Sequence, residues 1–265
     1  MRLAAIGSNC IDYYSNFGNG KAFVGGGPVN MAVYAKKIGE MASYIGIVGS
    51  DNYGELIISE MAKKNVDISH VHSVEGRTAV TQVELVNGER VFGEYDEGVL
   101  KDYILSEDDI NFICDNHDIV ICDLWGKVEG YFERLKKSGI KTAFDCATRP
   151  SDKESRIAIP FTDYLFFSSD DGDTETLREF MKYLFSQGPS LVVSMLGNKG
   201  SLCFDGNTFY KFGIVECENF VDSMGAGDSY IAGFLSGISK NLPIKECMEM
   251  GARTASDTLQ YFGAW

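Results

Sequence analysis

Histidine is nearly missing from this chain of 265 residues: only His70, His72 and His117 occur, with neither an H-x-x-x-H nor a 2-His-1-carboxylate spacing among them. A tightly bound transition metal is therefore not expected. Cysteine occurs at positions 10, 114, 122, 146, 203, 217 and 247, but no C-x-x-C pair is formed. Such an odd, scattered set suits isolated reduced thiols better than a disulfide frame, and the expected compartment is the cytoplasm. No apolar run approaches the roughly 18 residues of a membrane span. Residues 1–7 are apolar for too short a stretch before Asp12 to form a signal peptide. Positive charge is also in short supply, 24 Lys+Arg against 38 Asp+Glu, for a net charge of −14. A surface of that sign repels a nucleic-acid backbone, so nucleic acid is excluded as a partner. Any phosphate site must then depend on backbone N–H groups and helix ends rather than on a basic patch.

Repeats, charge runs and Pro/Ser-rich linkers are absent as well, while a hydrophobic fraction of 45% supports a sizeable core. Short apolar runs recur at 3–6, 43–48, 118–122, 142–144, 164–167 and 191–193, with amphipathic stretches between many of them. This alternation predicts a doubly wound α/β fold, its mainly parallel sheet flanked by helices. Pro28 opens a helix over 29–38 that Gly39 closes; further helices are expected at 128–137 and 174–186. Ser106-x-x-Asp109 has the form of a capping box. Two regions break the rhythm. Residues 78–85 and 89–95 alternate around Asn87-Gly88, a type I′ hairpin signal. Residues 10–24 are strand-like around Gly18-Asn19-Gly20. We expect one domain, 1–265, with a small antiparallel β lid built from about 10–24 and 77–97.

The segment Asp222-Ser223-Met224-Gly225-Ala226-Gly227-Asp228 stands directly before a helical apolar pattern at 229–235. The first N–H groups of a helix have no internal partner, and glycines let an anion approach closely, so Gly225, Ala226 and Gly227 form a candidate nest for a phosphate. Asp228 is then placed to accept a proton from an attacking hydroxyl. Taken alone, G-x-G-D fits a helix cap equally well. The longer D-[ST]-x-G-A-G-D string is far less common by chance.

That string resembles the second signature of the PfkB, or ribokinase-like, carbohydrate kinases. Gly25-Gly26-Gly27-Pro28-Val29-Asn30 resembles their first signature, which implies that Gly26, Gly27 and Asn30 meet the sugar. Gly7-Ser8-Asn9-Cys10-Ile11-Asp12 resembles the first strand and its substrate aspartate, Asp12. Val193-Ser194-Met195-Leu196-Gly197-Asn198-Lys199-Gly200 is similar to the nucleotide-holding strand and turn, implying Ser194, Gly197 and Gly200. Gly251-Ala252 resembles the helix start on which adenine lies, at Ala252. Asp145 looks like the aspartate of the family's F-D segment. By the same resemblance Asp222 and Gly263 are expected at a monovalent cation such as K⁺. The chain departs from the family at N-x-x-E, where it offers Ser168-Ser169-Asp170-Asp171, so Ser168 and Asp171 are the expected links to Mg²⁺. Residues 67–72, 81–85, 90–95 and 260–265 resemble most the subfamily of fructoselysine 6-kinases.

The resemblance implies transfer of the γ-phosphoryl of ATP to a primary hydroxyl of a glycated amino acid, fructoselysine giving fructoselysine 6-phosphate. A plain-sugar kinase for fructose or ribose stays open, as does a non-catalytic sugar or nucleotide sensor. Arg90 is a candidate contact for a substrate carboxylate, and the lid's free edge invites a homodimer. A dinucleotide-binding oxidoreductase is disfavoured because G-x-G-x-x-G is missing after the first strand, and no Walker A motif occurs.

Overall fold

The computed structural model describes residues 1–86 and 89–265, with Glu89 and Arg90 by their backbone. The Asn87-Gly88 turn lies outside the described residues. In chain order the strands are β1 (Arg2–Ile6), β2 (Cys10–Tyr14), β3 (Lys21–Gly25), β4 (Met41–Gly49), β5 (Val71–Val74), β6 (Val80–Val86), β7 (Glu89–Asp96), β8 (Ile119–Asp123), β9 (Lys141–Asp145), β10 (Tyr164–Ser168), β11 (Leu191–Met195), β12 (Ser201–Phe204) and β13 (Phe209–Phe212). The helices are α1 (Gly27–Lys37), α2 (Asn52–Lys63), α3 (Glu107–Asn116), α4 (Phe132–Lys137), α5 (Lys153–Ala158), α6 (Glu175–Ser186), α7 (Ala226–Ser239) and α8 (Ile244–Thr258).

A nine-stranded sheet runs β13-β12-β11-β10-β9-β8-β1-β4-β5. Neighbours from β11 across to β5 are parallel, and β12 and β13 add an antiparallel edge. Period-two alternation divides the core into two layers. On β1, Leu3 and Ala5 pack with α1, α2, α7 and α8, whereas Ala4 and Ile6 pack with α3, α4, α5 and α6. Ile119 and Ile121 against Val120 and Cys122 repeat the division on β8. Burial on both faces is why these strands read as continuous apolar runs.

The second sheet, β3-β2-β6-β7, is made from the two expected segments. β2 with β3 and β6 with β7 are antiparallel pairs, and the pairs join along a parallel β2–β6 seam. A register shift between Thr81 and Val83 bends β6. Beneath this sheet Phe262 of the C-terminal segment stacks on Phe17 at 4.7 Å and packs against Phe23 at 5.2 Å. The expected helix 128–137 begins instead as a 3-10 turn at Glu129–Tyr131, so α4 is shorter than the sequence pattern suggested. No described helix is long and apolar enough to cross a membrane.

Candidate active site

Strand order reverses where β1 lies between β4 and β8, and the chain ends leaving the carboxyl termini of β1 and β8 diverge there. Such a switch point is the general ligand crevice of an open α/β sheet. A cavity of about 470 Å³ occupies it, closed on one side by the small sheet. Ser8 and Asn9 follow β1, Asp123 ends β8 and Asp145 ends β9. Asp12 comes from β2, Gly26, Gly27 and Asn30 from the start of α1, and Asp228 from the first turn of α7. Thr81, Phe92 and Tyr95 contribute the wall from the small sheet.

Asn30 links these groups. Its Nδ2 donates to Asp228 Oδ2 at 2.7 Å, and its Oδ1 accepts from Trp265 Nε1 at 2.8 Å. Ser8 Oγ donates to Asp123 Oδ2 at 2.7 Å. A Cβ on Gly27 would stand 2.8 Å from Asp123 Oδ2 and 3.3 Å from Asp228 Oδ1, so glycine is what lets α1 start against both carboxylates. Among the described residues no lysine or arginine lines the cavity. Enclosure in this space pushes the Asp228 carboxyl up to about 7, with Asp123 and Asp12 adding repulsion against the pull of the Asn30 amide. Asp145 is pushed up to about 8 by burial and the charge of Asp228, and Asp123 to about 6 by burial. Carboxylates crowded in low dielectric without cations bind protons more tightly than free ones, which is the direction of all three shifts.

A second cavity of about 390 Å³ opens on the other side of the α7 terminus. Gly197, Gly200, Ala226, Gly227 and Ala252 line it together with the apolar Ile214, Val215, Ala255 and Leu259. Apolar walls of this kind suit a flat heteroaromatic ring, and the helix start suits an anion attached to it. Gly225 is the N-cap of α7 in the left-handed conformation (φ 73°), which glycine adopts at little cost. Within the expected nest, the Ala226 N–H donates to Ser223 O at 3.2 Å, while Gly227 reaches the cavity.

Some expected positions lie elsewhere. Ser194 is fully buried inside β11 and does not line the second cavity; alternation along the strand turns its neighbour Met195 there instead. Ser168 ends β10 and Asp171 is exposed in the following loop, and neither lines either cavity. Asp222 and Gly263 do meet, but by a hydrogen bond from the Gly263 N–H to Asp222 Oδ2 at 2.8 Å, with Met224 N donating to Oδ1 at 3.0 Å. That pair ties the C-terminal loop to the α7 loop. Arg90 has its backbone on β7 and its side chain outside the described residues. Sequence spacing alone missed Asp123, although a carboxylate closing the apolar run Ile119-Val120-Ile121-Cys122 is the available signal. The spacing argument against a His/His/carboxylate group also fails in three dimensions: His70, His72 and Asp109 converge, outside both cavities.

Parallel strands reversing at a ligand crevice, a glycine turn feeding a helix, and a carboxylate between two cavities define an α/β phosphotransferase class. The architecture is that of the ribokinase-like proteins: *Arabidopsis thaliana* ribokinase complexed with ribose and ATP superposes with a TM-score of 0.88 at 23% identity, covering 99% of this chain and 93% of that one. Residues 3–265 match the pfkB family carbohydrate kinase pattern, and the chain belongs to that family. It is 42% identical over 263 residues to fructoselysine 6-kinase of *Escherichia coli* (strain K12), covering 99% of each chain. It is 30% identical over 269 residues to a fructosamine kinase of *Bacillus subtilis* (strain 168), covering 100% of this chain and 93% of that one.

Proposed function

We propose that the protein phosphorylates the primary hydroxyl of a glycated amino acid with ATP, converting fructoselysine to fructoselysine 6-phosphate. The observation that carries the reading is the position of Asp228, whose carboxylate lines one cavity while the adjacent Gly227 lines the other. ATP in the second cavity supplies the γ-phosphoryl group: the sugar hydroxyl oxygen bonds to its phosphorus, the bond to the β,γ-bridging oxygen breaks, and ADP departs. Asp228 receives the hydroxyl proton as that bond forms, and Asn30 holds the receiving carboxylate in place. The Gly227 N–H and the α7 terminus face the charge that develops on the transferred group. Asp12 and the Gly26-Gly27 turn hold sugar hydroxyls. The small sheet acts as a lid that keeps water out. We place pairing with a second copy along its β7 edge, where Val91 and Phe92 are exposed. Ser168 and Asp171 line neither cavity and do not fit a magnesium site between them.

The acidic wall supports an amine-bearing substrate over a plain sugar. In fructoselysine the sugar is joined to lysine through a secondary amine that is protonated at neutral pH. A cation in this carboxylate-walled cavity, carried at the end of the sugar away from the hydroxyl that meets Asp228, offsets acidic groups that otherwise repel one another, which neutral fructose does not do. ATP consumption measured over fructoselysine, other glycated amino acids, fructose, ribose and adenosine should give the highest kcat/KM with fructoselysine. A preference for fructose or ribose would overturn the substrate assignment. Asp228→Asn should keep ATP binding and lose at least about a hundredfold in kcat, the general-base scale. Turnover near the parent's would remove Asp228 from the mechanism.

A further inference from the structure

His70 and His72 flank Val71 at the start of β5, so strand alternation turns both imidazoles to one face while Val71 packs toward the core. Asp109, in the first turn of α3, meets them there. Its Oδ1 lies 2.8 Å from His70 Nδ1 and 3.0 Å from His72 Nε2, and the three side-chain atoms fall within 4.8 Å of one another. From this geometry we propose that His70, His72 and Asp109 form a binding site for a divalent transition metal of the zinc class, separate from the phosphoryl-transfer site.

The chemistry of the donors selects the ion. Two imidazole nitrogens and one carboxylate oxygen are borderline ligands that suit Zn²⁺ or Co²⁺, whereas Mg²⁺ and Ca²⁺ require oxygen sets. Zinc–nitrogen bonds of about 2.0–2.1 Å place tetrahedral ligand atoms roughly 3.3 Å apart, so the two Asp109 contacts need to open by only a few tenths of an ångström while the imidazole nitrogens, within 4.8 Å of each other, swing onto the same ion. His72, 46% exposed on its side chain, has room to make that movement. The other two ligands are held from behind. Asp109 is 1% exposed and its Oδ2 accepts from Ser106 Oγ at 2.6 Å and from Ser106 N at 3.2 Å. The His70 ring stacks on Phe112 with centroids 3.8 Å apart. Support of ligands by such outer contacts is what fixes a metal site before the ion arrives. Three protein ligands leave the fourth position to water on the His72 side. Coordination requires each imidazole to present a lone pair where it now shares a proton with Asp109, so that proton moves to the ring's other nitrogen or to solvent. The ion would clasp β5, the edge of the parallel sheet, to α3 on the layer beneath it.

The test is titration of the chelator-treated full chain with CoCl₂ and with ZnCl₂ in the absence of ATP, followed by calorimetry and by the visible absorption of Co²⁺. We expect one equivalent of either ion, a cobalt spectrum without thiolate charge-transfer bands, and a rise in Tm on saturation. His72→Ala, at the half-exposed ligand, should weaken binding at least tenfold and leave metal-free kinase activity unchanged. His117→Ala should leave the affinity unchanged. Binding that is absent, that shows thiolate bands, or that is equally tight in His72→Ala would overturn the assignment. Should His72→Ala fail to fold, His72→Gln gives the same comparison.

Discussion

Trp265 reaches the proposed base through one intermediary: its indole N–H donates to Asn30 Oδ1, and the Asn30 amide N–H in turn donates to Asp228 Oδ2. The indole thereby fixes which end of the Asn30 amide faces Asp228, since only the nitrogen end can donate. Without that contact the amide is free to turn its oxygen toward the carboxylate, a repulsive arrangement. Trp265→Phe keeps most of the ring volume and removes the donor. A hydrogen bond of about 1 kcal/mol corresponds to roughly a fivefold effect, so kcat should fall about fivefold with little change in KM. The rising limb of the pH–rate profile should also move upward, because a less well-oriented Asn30 stabilises ionised Asp228 less. Steady-state kinetics from pH 6 to 9 check both; an unchanged limb and kcat would confine Trp265 to packing. This residue was legible only as part of a C-terminal string of family resemblance, because nothing in its spacing connects position 265 to position 30. Asn30, Asp12 and Asp228 were readable from their motifs. Asp123 was not, since its role depends on β8 lying beside β1, and strand order is not written in the period of either strand.

Among the elements, α2 and the small sheet are joined by one carboxylate. Asp51 caps α2, its Oδ1 accepting from Gly54 N at 2.9 Å and from Thr78 Oγ1 at 2.6 Å, while Oδ2 accepts from Thr78 N at 2.9 Å. Thr78 Oγ1 also accepts from Gly49 N at 3.0 Å, so the end of β4, the start of α2 and the entry to β6 share one junction. Burial pushes the Asp51 carboxyl up, but the Thr78 and Gly54 donors prevail and hold it below the usual range. Its contribution to stability is therefore present above the unfolded value of about 3.9 and is lost as the pH falls below it. Asp51→Ala should destabilise the chain by about 1–2 kcal/mol at pH 7, the scale of a lost N-cap, and by less at pH 3, as thermal unfolding at the two pH values would show. An equal loss at both would mean that the charge contributes nothing. Helices were readable where their ends carry local signals, Pro28 in α1 and the Ser106–Asp109 capping box in α3, whereas α2 and α5 were not foreseen and α8 begins at Ile244, well ahead of the Gly251-Ala252 read as a helix start. The four-residue strands β5, β12 and β13 are too short for a periodic signal. The parallel β2–β6 seam joins segments about 70 residues apart, with Ile11 opposite Val80, and no local pattern encodes such a pairing.

For the whole molecule, the net charge of −14 finds its counterpart at the centre, where Asp123, Asp145 and Asp228 face one cavity. A sugar kinase that has to bind polyphosphate would be hindered by this field, except that glycine N–H groups and a helix terminus front the second cavity while the carboxylates front the first. The arrangement makes the empty protein sensitive to pH in a direction opposite to ordinary acid unfolding. These carboxyls hold their protons up to about 6, 8 and 7 respectively, whereas in the unfolded chain they release them near about 3.9. Between those limits the folded state binds more protons than the unfolded one, so stability falls as the pH rises from about 4 to about 8. Groups shifted the other way act in a separate window. Glu40, which burial pushes up but which the N-terminal ammonium, Ser236 and Lys240 bring down to about 2, loses its contribution only as the pH drops below about 4.5. Asp145→Asn removes the group with the highest value and keeps nearly the same volume. The unfolding midpoint in denaturant should then decline less between pH 5 and 8 than in the parent, and at pH 8 the variant should be the more stable of the two. Parallel pH curves for parent and variant would show that Asp145 ionises freely in the folded state. Fructoselysine, by bringing its ammonium into the carboxylate-lined cavity, should flatten the parent's curve in the same direction, while an equal concentration of fructose should not.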